Sequence, residues 1–384
     1  MDNITKEKPK LSLMKPYIQI AKLAEERKAE IEANRNIPSD IMEQVKDAGL
    51  VKRWATKAVG GEEAAVSEVT QMLREMAYYN GSLAWVIGVT GCSALFSGFI
   101  GKESAQAFFS DPHCMVGGFA GPAGVGMLTE GGLKVSGHWR WGSGITHCSH
   151  IVGGVKIMDG TTFKGTGIIL FKPEELNKID NWHVLGLKGT HSIDYSTKDT
   201  FIPNGRWFPF PVTKATVDAP LYRFSFLGAL SLAVASTGLG LAKRAIDELK
   251  TLATTKRPFG QGKPLAKRAD MQVQIGKLEG QYQAAIALFN QTIAKAEKEV
   301  EKGSCSTATK AQIRLASAHS TTMAHTVVQG AFNMAAGSAI WQSQKLEELI
   351  RDMNVAKQHG MVNVTNYRTV GAVLVGEDVP SVLL

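Results

Sequence analysis

The hydrophobic pattern of the chain changes period twice. Residues 12–112 repeat apolar positions at helical spacing, as in KPYIQIAKLAEERKAEIEANR. Pro38-Ser39-Asp40 then starts a helix through Leu50, and Ser67 with Glu68 opens another toward Tyr79. An apolar helix follows from Ser82, a short one starts near Lys102, and Asp111-Pro112 closes the block. From His113 to about Pro211 the period drops to two. The β-branched and aromatic runs LKVSGHWRW, IVGGVKIM, GIILF and YSTKDTFI alternate there with glycine-rich turns, the pattern of an antiparallel barrel or sandwich. From about Leu221 the helical period returns in segments 222–254, 264–301, 307–335 and 342–358. Gly260-Gln261-Gly262-Lys263-Pro264 and Lys302-Gly303-Ser304 break them. Frequent Ala and Gly on these segments allow the close approach of a four-helix bundle.

The order predicts a mainly α protein with a central antiparallel β domain: an N-terminal helical domain at 1–112, a middle β-barrel or sandwich at 113–211 and a C-terminal bundle at 212–384. Alternating βαβ units are absent, which argues against a doubly wound nucleotide fold.

Composition narrows the classes. A 384-residue chain with 44% apolar and 20% charged residues has the make-up of a globular protein with room for several packed layers. The +8 net charge comes from 43 Lys+Arg dispersed among acids, as in AEERKAEIE, which reads as solvated helix faces. No basic run interleaved with aromatics points to nucleic acid, while the balance still favours an anionic ligand. Cys92, Cys114, Cys148 and Cys305 lack metal-ligand spacing, so no metal site is expected. The start MDNITKEKPK is polar and charged with no apolar segment, so no signal peptide and a cytoplasmic protein are expected. Met76 to Gly101 and Phe224 to Ala242 carry no charge, yet both are interrupted by small and polar residues without flanking belts. They read as central helices of a bundle, not membrane spans.

Candidate chemistry lies in four places. The 117–126 glycines match neither a dinucleotide fingerprint nor a P-loop. In GGLKVSGHWRWGSG (131–144), alternation puts Leu133, Val135, Gly137, Trp139 and Trp141 on one face, either a flat apolar wall for a ligand or ordinary β-core. TKRPFGQGKPLAKR (255–268) is a basic interhelical loop whose Arg257 could fork onto a phosphate. RDMNVAKQH (351–359) ends a helix and delivers His359, either as a cap or as a pocket residue.

Together these segments resemble the flavin-dependent monooxygenases built on the acyl-CoA dehydrogenase fold, over roughly residues 15–375. Trp141-Gly142-Ser143 is similar to the Trp-x-Ser/Thr element of that fold. Val135-Ser136-Gly137-His138-Trp139, Gly144, Trp85 in GSLAWVIGV and Ala356-Lys357-Gln358-His359 resemble the monooxygenase branch. The resemblance implies an acyl-CoA dehydrogenase-like fold and a reduced flavin cofactor. Ser143 would sit at flavin N5, with Trp139, Trp141 and Gly144 along the ring. Arg257 and Phe259 would reach the flavin phosphates, often across a subunit interface, with Gln329 and Gly337 further along the cofactor. Trp85, Ser93, Phe96 and His359 would line the substrate, and His359 with Ser143 would be catalytic.

Two departures refine the expectation. Ala335-Ala336-Gly337 stands where the dehydrogenases carry Gly-Gly-x-Gly, so FMN is as admissible as FAD. Ser93 stands where phenol-hydroxylating relatives place a His, which turns the choice toward a flat aromatic such as an indole, with sulfur or nitrogen oxidation left open. The implied activity is oxygenation by O2 through a C4a-hydroperoxyflavin, with reduced flavin from a separate reductase. The implied assembly is a homotetramer, a dimer of dimers, with neither membrane nor nucleic-acid partner. Two alternatives stand beside it: an acyl-CoA dehydrogenase and a DNA-binding flavoprotein of the same fold. The first requires a carboxylate base, and neither Gln358-His359-Gly360-Met361-Val362 nor Leu227–Ser236 supplies one.

Overall fold

A computed structural model describes residues 15–211, 214–257 and 262–380. The N-terminal block contains α1 (Pro16–Glu26), α2 (Lys28–Asn34), α3 (Ser39–Asp47), α4 (Val66–Ala77), α5 (Gly81–Ala94) and α6 (Lys102–Phe109). The first predicted helix breaks at Arg27, whose side chain ties Glu30 and Asp40. The apolar α5 starts on Asn80, whose side chain accepts the Leu83 N–H at 2.9 Å.

Seven strands follow: β1 (Val116–Thr129), β2 (Gly132–Gly142), β3 (His150–Asp159), β4 (Thr162–Phe171), β5 (Asn177–Ile179), β6 (Ile193–Pro203) and β7 (Trp207–Pro209). They form one sheet in the order β5-β6-β2-β1-β3-β4-β7. The expected antiparallel pairing holds except between β1 and β3, which run parallel and make the sheet mixed. The exception arises because β2 pairs on one side of β1 while the chain crosses back to place β3 on the other.

The last block holds α7 (Pro220–Arg223), α8 (Phe226–Thr255), α9 (Ala269–Val300), α10 (Thr307–Ala335), α11 (Lys345–Ala356) and α12 (Thr365–Leu374). The last of these had no counterpart in the expected elements. Helix α8 is the axis of the molecule. A Cβ at its Gly240 would lie 2.4 Å from the Arg74 carbonyl of α4, and one at Gly238 would lie 3.2 Å from Met353 of α11. Its small residues therefore set the spacing of three helices.

The segment Gly81–Gly98 and helix Phe226–Thr255 are apolar and long enough to cross a bilayer, but 89% and 78% of their most apolar 18-residue stretches are buried inside the protein. They are core helices here. One hydrophobic core runs through all three sequence blocks and joins Ile20, Trp139 and Leu239, so helices and sheet are held to one another directly.

Candidate active site

Helix α5 is buried around nearly its whole circumference. Only Val89 and Ser93 keep accessible surface, and they continue the stripe that starts at Trp85, four residues apart each time. Trp85, at the head of that stripe, meets the end of β2 on one side and the turn after α11 on the other. The Trp85 indole N–H donates to Ser143 Oγ at 3.2 Å, and its ring meets His359 edge-on, with centroids 5.4 Å apart. One indole thus gathers the central-sheet serine and the late histidine. The two side chains meet through Trp85 and share no direct hydrogen bond among the described residues.

Ser143 reaches this point because β2 ends irregularly. Trp139 pairs with Tyr195 and Gly142 with Ile193, so β2 carries one extra residue there. Trp141 occupies the bulge with φ +62° and turns outward. The alternation that put Trp139 and Trp141 on one face is therefore corrected: Trp141 is 57% exposed, edge-on to Phe119 at 6.0 Å, whereas Trp139 is wholly buried. Trp139 stacks on Tyr195 at 5.6 Å and donates its indole N–H to the Gly154 carbonyl at 2.7 Å. It is a core residue and not a cofactor wall. Gly144 follows Ser143 with φ +67°, and a Cβ there would stand 2.6 Å from Val86 of α5, so glycine lets the corner press against the helix.

Behind Ser143 lies a chain of buried hydroxyls that sequence reasoning missed. Ser143 Oγ is 2.7 Å from Ser192 Oγ, which is 2.7 Å from Thr190 Oγ1. Thr190 Oγ1 donates to the Leu187 carbonyl at 2.9 Å, and the Thr190 carbonyl accepts the Gly144 N–H at 2.8 Å. The loop carrying these residues is anchored by Asp352 of α11, which accepts the Leu187 N–H at 2.6 Å. The signal available in the sequence was Thr190-His191-Ser192, two hydroxyl residues opening a strand.

His359 follows α11 and is half-buried. Its Nδ1 accepts the Met361 backbone N–H at 3.2 Å, which assigns the proton to Nε2. Burial, with the nearby Arg314 charge, pushes its pKa down to about 4, so the ring is a neutral N–H donor at neutral pH. Arg314 on α10 is 4% exposed. It donates to Met361 Sδ at 3.2 Å and to Asn366 Oδ1, its Nε has no partner, and no carboxylate pairs with it among the described residues.

The remaining predicted residues fall elsewhere. Phe96 is 2% exposed and stacks on Phe226 at 5.0 Å, with Phe208 edge-on at 5.1 Å. That makes it part of an aromatic core and corrects its placement on the substrate. Arg257 is exposed and donates to the Gly262 carbonyl at 2.9 Å, while Phe259 lies outside the described residues. Gln329 bonds Asn333 at 2.8 Å. Gly337 lies in the turn after α10, which Lys256 reaches through Ser338. Arg257 and Gly337 are thereby drawn together, but none of these three touches Ser143, Trp85 or His359. Surface cavities of about 270 Å³ beside Arg35 and His183, and about 710 Å³ beside Phe163 and Trp207, also lie apart from those side chains. No cluster among the described residues has a metal-ligand set.

The corner therefore offers an exposed indole, a serine oxygen held in place, a neutral imidazole N–H and apolar helix surface. That set suits a flat heteroaromatic ring with a hydrogen-bonding edge. Residues 232–364 match the family described as acyl-CoA dehydrogenase, C-terminal domain. An indole-3-acetate monooxygenase of Pseudomonas putida is 24% identical over 353 residues, covering 91% of this chain and 90% of that protein. The flavin-dependent monooxygenase oxygenase subunit HsaA of Rhodococcus jostii is 28% identical over 235 residues, 58% of this chain and 60% of its own.

Along most of its length the chain is similar to flavin-dependent monooxygenases of the acyl-CoA dehydrogenase fold. The solved structure of XiaF from Streptomyces sp., in complex with FADH2 and glycerol, superposes on this chain with a TM-score of 0.88 at 21% identity. It covers 95% of this chain and 96% of its own, which shows that the helix, sheet and helix order is shared.

Proposed function

We propose that the protein is the oxygenase component of a two-component monooxygenase. It takes reduced FMN or FAD from a separate reductase and uses O2 to oxygenate a small aromatic, indole-like substrate. The observation that carries this reading is the single indole of Trp85 holding Ser143 and a neutral His359 together. The residues present fit a flavin. Trp141 and Phe119 offer aromatic surface, Ser143 an oxygen for the N5 edge, and the Arg257 loop a cation for phosphate. Bound reduced flavin supplies the electrons and the carbon at which O2 is activated. The protein's own residues hold the N5 proton at Ser143, offer the His359 Nε2–H to the reacting oxygen or substrate, and exclude water with Trp85 and Val89.

Support for the dehydrogenase alternative is weaker, because no carboxylate joins Trp85, Ser143 and His359 among the described residues. Asp352, on the same helix as the His359 loop, is engaged by the Leu187 N–H. Arg314 refines the substrate class: a buried guanidinium with no carboxylate partner among the described residues favours an aromatic that carries an acid, as an indole acetic acid does.

The test is oxygenation of indole and of an indole carboxylic acid with chemically reduced flavin. Product and hydrogen peroxide are both counted per flavin consumed. Ser143→Ala should leave flavin binding largely intact apart from the one N5 hydrogen bond, lose most product and release peroxide instead. Unchanged product per flavin would remove Ser143 from the reaction.

A further inference from the structure

The hydroxyls behind Ser143 form a chain whose direction is fixed by counting protons. Three oxygen–oxygen contacts run in series: Ser143 to Ser192 at 2.7 Å, Ser192 to Thr190 at 2.7 Å, and Thr190 to the Leu187 carbonyl at 2.9 Å. Each contact needs a proton between its oxygens, since two lone pairs at this separation repel. Three hydroxyls supply three protons, and the carbonyl at the inner end supplies none. Only one assignment satisfies all three contacts. Thr190 donates to the carbonyl, Ser192 to Thr190, and Ser143 to Ser192.

Leu187 O is surrounded by donors alone, since the Thr190 N–H and the Trp182 indole N–H also reach it, at 3.1 and 3.3 Å. The chain is sealed from water: Thr190 is 1%, Ser192 3% and Ser143 8% exposed. Trp85 fills one lone pair of Ser143 from the other side. Ser143 has therefore spent its only proton inward and presents an acceptor to whatever lies against it.

We propose that Ser192 and Thr190 are positioning residues that make Ser143 an obligate hydrogen-bond acceptor, so that the site selects the reduced flavin over the oxidised one. The inference rests on the flavin reading given above. Reduced flavin carries a hydrogen on N5, which Ser143 accepts. Oxidised flavin carries a bare lone pair on N5, which faces the Ser143 lone pair and is repelled. Selection of this kind lets the oxygenase take the product of a reductase and release the spent cofactor, with no conformational change required.

Anaerobic equilibrium titrations with reduced and with oxidised FMN and FAD give the two dissociation constants for the full-length protein. Wild type should bind the reduced form more tightly. Ser192→Ala and Thr190→Val each free the Ser143 proton to turn outward. Each should cut the ratio of oxidised to reduced Kd by about tenfold, the scale of one hydrogen bond. The potential of the bound flavin should fall by about 30 mV for this two-electron couple. Thr190→Ser keeps the chain and should keep the wild-type ratio, and near-ultraviolet circular dichroism checks that each variant is folded. Should Ser192→Ala not fold, Thr190→Val reads the same link. Variants that bind flavin with the wild-type ratio would overturn the relay while leaving the flavin site standing. A folded wild type that binds neither redox form of either flavin would overturn both.

Discussion

At the scale of single residues, the site depends on two groups that burial holds in defined charge states. His359 is kept neutral, with a pKa near 4 against 6.5 for a free imidazole. The sign of the linkage follows. Between these values the unfolded chain binds a proton that the folded chain refuses, so the stability His359 contributes is present above about pH 6.5. It is lost as the pH falls toward 4. The effect is about 1–3 kcal/mol, less than for a sealed group because the residue is only half-buried. Denaturant unfolding at pH 7.5 and pH 4.5 should show a smaller drop for His359→Gln than for wild type. His147, also held near 4 by burial, keeps a pH dependence of the same sign in both proteins. Arg314 is the opposite case, a charge buried without a carboxylate partner among the described residues. Arg314→Met should raise the melting temperature of the free protein while raising KM for an acidic substrate by about tenfold or more, the scale of a lost charged hydrogen bond. KM for neutral indole should not change, and an equal loss for both substrates would dismiss the carboxylate role.

At this same scale the sequence was readable where a side chain's chemistry is unusual for its setting. Ser143 beside two tryptophans, Trp85 on an apolar helix and His359 at a helix end all stood out as residues. Trp139 and Trp141 did not separate, because the bulge that turns one outward leaves no trace in a period-two pattern. Ser192 and Thr190 were invisible for a different reason. Short hydroxyl residues are common at strand starts, and only the folded loop lines them up behind Ser143.

At the scale of elements, α11 organises both halves of the site. Its Asp352 holds the loop of Thr190 and Ser192, and its C-terminal end carries the His359 turn through the Ala356 carbonyl. Burial and the neighbouring Glu348 charge raise the Asp352 pKa well above its usual range. Asp352→Ala strands the Leu187 N–H and should cost about 1–3 kcal/mol in denaturant unfolding. It should also weaken binding of reduced flavin by loosening the hydroxyl chain. Asp352→Asn keeps an acceptor for Leu187 and removes the like charge, so it should match or exceed wild-type stability above pH 7. Equal destabilisation by both would show that Leu187 does not depend on this contact. The elements themselves were legible in the sequence, from the N-terminal helices to the long C-terminal ones. The parallel pairing of β1 with β3 and the short α12 were not, since strand order is set by long-range packing and α12 has only two fully buried residues, Asn366 and Val370.

At the scale of the whole molecule, the C-terminal helices and the turn before α11 leave apolar side chains uncovered, with Ile340 63% and Trp341 65% exposed. We propose that assembly covers them, as the family resemblance implies. Light scattering should give about four times the 41.4 kDa chain mass, and the double change Ile340→Ser with Trp341→Ser should shift it to a smaller species. A monomeric wild type would refute the assembly. The central claim, that Ser143 and His359 share one flavin beside Trp85, is reached most directly by solving the structure of the anaerobic complex with reduced FMN or FAD. The account predicts flavin N5 about 3 Å from Ser143 Oγ, with the N5–H pointing at the serine and His359 on the same ring system. A flavin ring bound away from Ser143, or an indole of Trp85 that stays wedged so that no ring can approach the serine, would contradict it.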